Sequence, residues 1–91
     1  MKKRAHLFIS GRVQGVTFRM EMKLRAGCLR VSGFVKNLQD GRVEALIEGE
    51  EKKVGKLIDW ARRGPAFARV TDIQIVEEAY EGEFSEFKII Y

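Results

Sequence analysis

The run Gly11-Arg12-Val13-Gln14-Gly15-Val16-Thr17-Phe18-Arg19 has the residue types and spacing to hold an anion. Its two glycines admit positive φ and bring no side chain into the bend. Successive N–H groups in such a bend can converge on one concavity, a nest for negative charge. A helical period begins at Phe18, so the bend opens a helix, whose unpaired donors and partial positive charge add to the nest. Arg19, in the first turn, contributes a planar fork that matches phosphate or carboxylate. No Gly-Lys-Ser/Thr follows, so this is not a Walker loop. The other candidate is Asn37, at the end of an alternating stretch. Taken singly, the first pattern also fits an ordinary strand-to-helix turn with a surface arginine. Asn37 alone also fits a plain turn residue, a role asparagine favours.

Composition removes most other chemistries. The chain has 91 residues, one Cys and one His. Cys28 has no partner for an intrachain disulfide. Cys28 and His6 are too few soft ligands for a closed zinc site. A nucleophile–histidine triad would need His6, which lies in an alternating stretch and reads as a sheet-face residue. Seventeen Lys and Arg against 13 Asp and Glu give a net charge of +4, which favours anionic partners without choosing among them. The length fits one domain, 1–91. No apolar run approaches the ~20 residues of a membrane span. The basic start, Lys2-Lys3-Arg4, lacks the ~7–15-residue apolar stretch of a secretory leader. It reads as a solvated, frayed end, and the chain as cytoplasmic.

The elements that must position these residues follow from periodicity. Ala5 to Ser10 alternates as a half-buried strand. Phe18, Met22, Ala26 and Leu29 recur at helical spacing, with Thr17 as the expected N-cap. Val31 to Asn37 is a second strand, and Asp40-Gly41 signals a tight hairpin turn. Arg42 to Gly49 alternates again as the returning strand. Glu50 to Arg63 is a helix with Val54, Leu57, Ile58 and Ala61 on its apolar stripe, stopped by Gly64-Pro65. Trp60 falls off that stripe, at its edge, and Cys28 is expected to be partly buried. Arg69 to Glu78 is a strand with Ile73 and Ile75 inward. Phe84 to Tyr91 is an edge strand with Phe87, Ile89 and Tyr91 on one face. The order β-α-β-β-α-β with a C-terminal strand is an α+β, ferredoxin-like arrangement: an antiparallel sheet with two helices on one face. A fold this widely used does not name a function.

Read together, the motifs resemble the acylphosphatase family from Ala5 to Tyr91. The matching runs are Gly11 to Arg19, Gly33-Phe34-Val35-Lys36-Asn37, Asp40-Gly41-Arg42-Val43-Glu44-Ala45, and Gly64-Pro65. The resemblance implies hydrolysis of the carboxyl–phosphate bond of small acyl phosphates to carboxylate and inorganic phosphate, with no metal or cofactor. It also implies a phosphate cradle of Gln14, Gly15, Val16, Thr17, Phe18 and Arg19. Arg19 would be the phosphate-binding arginine and Asn37 the water-orienting residue. Phe34 stands where the family commonly has Trp, and Arg30 where it commonly has Gly. If position 30 needs a left-handed backbone, arginine costs about 1 kcal/mol there relative to glycine.

The chemistry suits so sparse a set of side chains. An acyl phosphate releases a carboxylate whose parent acid has a pKa of about 4, so no general acid is required. Phosphoryl transfer is mostly positioning and charge stabilisation. The expected partners are a small acyl phosphate and phosphate, acting on a monomer, with no specific nucleic acid and no membrane. The rival reading is a non-catalytic anion- or RNA-binding module of the same fold. Such sheets bind RNA through aromatics on their central strands, and the stretch Arg42 to Ile47 has none.

Overall fold

The computed structural model describes residues 1–91 and shows seven elements: β1 (Lys2–Arg12), α1 (Phe18–Leu29), β2 (Ser32–Asn37), β3 (Val43–Glu50), α2 (Glu51–Ala61), β4 (Arg69–Glu78) and β5 (Phe87–Ile90). The fold is ferredoxin-like α+β. The five strands form one sheet in the order β4-β1-β3-β2-β5. β1 lies at the centre, antiparallel to β3 and β4, and β2 is antiparallel to β3. The alternation in β1 places Ala5, Leu7 and Ile9 in the core with Val43, Ala45 and Ile47 of β3. Phe18, Met22 and Ala26 of α1 and Val54, Leu57, Ile58 and Ala61 of α2 cover that face. The Glu50 carboxylate caps α2, accepting from the Lys53 N–H at 3.2 Å.

The sheet is mixed rather than antiparallel throughout, because β5 runs parallel to β2. Topology requires this. β4 ends at the end of the sheet where β1 begins, and residues 79–86 cross to the opposite edge there. β5 then starts from the same end as β2. It is also shorter than the expected strand, Phe84 to Tyr91.

The basic start is not frayed. Lys2, Lys3 and Arg4 pair with Glu50, Gly49 and Glu48 of β3. The Arg4 side chain, 8% exposed, meets Glu48, 1% exposed, at 3.0 Å. It also meets Glu78 at 2.9 Å and Glu83 at 3.0 Å. The Glu48 carboxylate accepts the N–H groups of Glu81 and Glu83 at 2.9 Å and of Gly82 at 3.1 Å. These bonds strap the crossing segment over the sheet face opposite the helices, where Phe84 packs edge-on against Phe34 with ring centroids 6.0 Å apart.

Two helix residues also depart from expectation. Trp60 is buried, its ring 5.1 Å from that of Phe18, because the two helices close over the edge of the α2 stripe. Cys28 faces outward from α1 and is exposed.

Arg30 closes α1 with φ 57° and ψ 40°, and its N–H bonds back to Ala26 and Gly27. The left-handed backbone that glycine accommodates is therefore held by an exposed arginine. Arg30→Gly is expected to raise stability by about 0.5–1 kcal/mol. A urea midpoint shifted upward at unchanged slope would register it; an unchanged or lower midpoint would show that αL strain is not stored there.

Candidate active site

The loop between β1 and α1 is shaped by what it buries. A bulge between Ser10 and Gly11 shifts the β1–β4 register. Gly11 has φ 121°, and a Cβ there would lie 2.1 Å from the Arg69 carbonyl oxygen. Beyond it, Val13, Val16 and Phe18 all enter the core. The residues between them turn the other way. Gly15 has φ 74° and Thr17 φ 63°. A left-handed threonine is strained by about 1 kcal/mol or more, a kind of strain that gathers at functional sites.

Thr17 is therefore not the side-chain N-cap the sequence suggested: its hydroxyl makes no capping bond. It lies instead against the Val16 carbonyl and, at 3.1 Å, the Glu21 carboxylate. The left-handed backbone turns that side chain away from the N–H groups it would have capped. No loop or cap hydrogen bond uses the N–H of Gly15, Val16, Thr17, Phe18 or Arg19 as donor. That leaves a run of free donors at a helix start. Gln14 acts as a staple: its Nε2 donates to the carbonyls of Leu38 at 2.7 Å and Arg42 at 2.9 Å, pinning the loop to the β2–β3 hairpin.

A cavity of about 150 Å3 lies against this loop. Gly15, Thr17, Phe18, Arg19 and Asn37 line it, so the two sequence candidates meet at one place. Gln14 and Val16 do not line it. Val13, Met20, Ile89 and Tyr91 complete the lining. Asn37 arrives at the end of β2, where it pairs with Val43. Its Oδ1 is buried and has no hydrogen-bond partner, alone among buried side-chain nitrogen and oxygen atoms. The Arg19 guanidinium lies 5.0 Å from the Tyr91 ring centroid. No carboxylate lies within 4.0 Å of it.

The loop with its free N–H donors, the unpaired Arg19 and the Asn37 side chain thus line a space suited to a small anion. The largest cavity, about 440 Å3 between the outer faces of the helices, has neither the free loop donors nor Asn37, so chemistry selects the smaller one. Ile89 and Tyr91 were missed as lining residues. Their alternation was visible, but only the parallel β2–β5 pairing brings them to Asn37 and Arg19.

Known proteins resemble this chain in sequence and in fold. The family model described as Acylphosphatase matches residues 5–89. The chain is 47% identical over 91 residues to an acylphosphatase of Syntrophus aciditrophicus (strain SB), covering 100% of this chain and 95% of that one. It is 53% identical over 88 residues to an acylphosphatase of Pyrobaculum arsenaticum (strain DSM 13514 / JCM 11321 / PZ6), covering 96% and 93%. The crystal structure of acylphosphatase from Bacillus subtilis superposes with a TM-score of 0.93 at 36% identity, covering 100% of both chains. With sequence and fold matched along nearly the whole length, the chain belongs to the acylphosphatase family of hydrolases.

Proposed function

We propose that the cavity between the Gly15 loop and Asn37 is the active site, and that it hydrolyses the carboxyl–phosphate bond of small acyl phosphates. The observation that carries this reading is that Asn37 and the unpaired Arg19 line one cavity, with the Asn37 Oδ1 left without a partner. An orphaned buried acceptor costs about 1–3 kcal/mol; a turn of the Asn37 amide toward the cavity lets a bound water donate one O–H to it and removes that cost. The same hydrogen bond fixes the water's direction.

In this reading the N–H groups of Gly15 to Arg19 and the Arg19 guanidinium grip the phosphoryl oxygens and stabilise their charge as it redistributes. Gln14 serves through its backbone position and Val16 through the N–H it leaves free. Tyr91 holds the guanidinium in place by cation–π contact. The water held by Asn37 attacks phosphorus in line with the leaving group. The phosphorus–oxygen bond to the acyl group breaks and the carboxylate departs with the bonding pair. A water proton passes to a phosphoryl oxygen, and inorganic phosphate remains. A carboxamide is no base, so Asn37 orients and does not deprotonate. The carboxylate leaving group needs no proton, so the steps call on neither a histidine nor a metal.

The reading extends to residues 1–91 acting as one domain and a monomer in the cytoplasm, without nucleic-acid or membrane partners. One core of 19 buried residues supports the first part. No helix is long and apolar enough to cross a membrane. On the open sheet face Phe8 lies under Arg42, 5.2 Å from the guanidinium carbon, and Phe34 lies against Phe84. Neither ring is bare for stacking on a base.

The test is phosphate release from acetyl phosphate. Asn37→Ala is expected to lower kcat about 10²-fold, the scale of a misplaced reactant, while inorganic phosphate inhibits as before. Retained kcat with lost phosphate inhibition would move Asn37 from water to phosphate binding.

A further inference from the structure

The groove between the outer faces of α1 and α2, about 440 Å3, takes no part in the proposed reaction. Its size is that of small-molecule sites. Its walls are apolar: Leu29 and Trp60 at depth, and Leu24, 65% exposed, at the α1 rim. Arg25 from α1 and Lys56 from α2 also line it. Neither has a carboxylate within 4.0 Å. Glu21 is the one acid in the groove and stands four residues before Arg25, a spacing that favours a pair. It faces the Thr17 hydroxyl instead, and the Arg25 guanidinium lies over the Trp60 ring at 5.2 Å. An exposed apolar trough is thus edged by two uncompensated cations.

We propose that this groove binds an amphipathic monocarboxylate. Its aliphatic or aryl body lies against Leu24, Leu29 and Trp60, and its carboxylate takes Arg25 and Lys56. The walls call for apolar mass, and the charge balance of two cations to one acid calls for a single anion. Arg25 supplies the planar fork that a carboxylate accepts. The proposal stands apart from the phosphoryl chemistry, since the two cavities share no lining residue.

Two reporters already sit in the groove. Trp60 is the chain's one tryptophan, so intrinsic fluorescence reads the site directly. Cys28 lines the groove and is exposed, so its alkylation by iodoacetamide reads occupancy independently. Octanoate titrated into the full chain is expected to give a saturable fluorescence change and matching protection of Cys28. Octan-1-ol, without the charge, should bind about tenfold or more weakly, the scale of a charge-assisted hydrogen bond. Leu24→Ser and Arg25→Glu, both at exposed positions, should weaken octanoate by a similar factor with circular dichroism unchanged. A response that does not saturate overturns the proposal, as does one that both variants leave intact. Displacement by inorganic phosphate would place the carboxylate in the Gly15 cavity and overturn it equally.

Discussion

Replacing Arg19 with alanine is expected to lower kcat/KM for acetyl phosphate by about 10²–10³, the scale for losing a principal donor to transition-state charge. The guanidinium has no protein carboxylate to neutralise it, so its charge is available to the phosphoryl group in full. Folding should be little affected, because the side chain makes one aromatic contact and no ion pair. Inorganic phosphate should inhibit the variant less, which separates Arg19 from Asn37: one loses the anion, the other the direction of attack. Arg19→Lys keeps charge and loses the fork, so partial recovery is expected. Near-normal turnover by Arg19→Ala would remove the residue from the mechanism.

Glu48→Ala is expected to destabilise by about 2–3 kcal/mol, because Arg4 keeps Glu78 and Glu83 but loses its buried partner, and three strap N–H groups lose their acceptor. Typical domains have about 5–15 kcal/mol in all, so this variant should unfold at far lower urea. The same group sets the acid sensitivity. Burial pushes the Glu48 carboxyl up, but the N–H groups of Glu81, Glu83 and Gly82 and the Arg4 guanidinium outweigh it, leaving it below the ordinary carboxylate range. Arg4 likewise holds the Glu78 carboxyl down, against burial and with help from His6. Folded values below unfolded ones mean that the stabilisation is complete above the ordinary carboxylate pKa of about 4.3. It drains away as pH falls toward and through the lower folded values. Wild-type stability should therefore drop steeply in acid, and the Glu48→Ala curve should be flatter there. A cost under about 1 kcal/mol with unchanged acid dependence would show that the cluster holds little.

The parts legible in the sequence were the short-range ones. The Gly11–Arg19 loop announces itself through glycine spacing and the helical period that follows, and both survive in the structure. The helix stripes place Phe18, Met22 and Leu57 in the core because side-chain direction repeats with the backbone. Asn37 was different: nothing in its neighbours distinguishes a turn residue from a site residue, and only resemblance joined it to Arg19. The structure brings the two residues to one cavity and leaves the Asn37 Oδ1 without a partner. Least legible was Arg4. Its partners lie 44, 74 and 79 residues away, and no local pattern tells a solvated basic end from one drawn into a cluster of carboxylates. Trp60 was misjudged for a related cause: one helix's stripe does not reveal how a second helix closes over its edge.

The strap over residues 79–86 joins the sheet's two outermost strands, since β4 and β5 lie at opposite ends of the strand order. Each has its own backbone ladder, β4 with β1 and β5 with β2, and the strap between them is pinned by the one carboxylate of Glu48. The margins of this protein are therefore latched together. Once the latch opens, β4 and β5 should exchange their amide hydrogens as one cooperative unit while β1 and β3 stay protected, so the places where a neighbouring chain would add a strand become exposed in a single event.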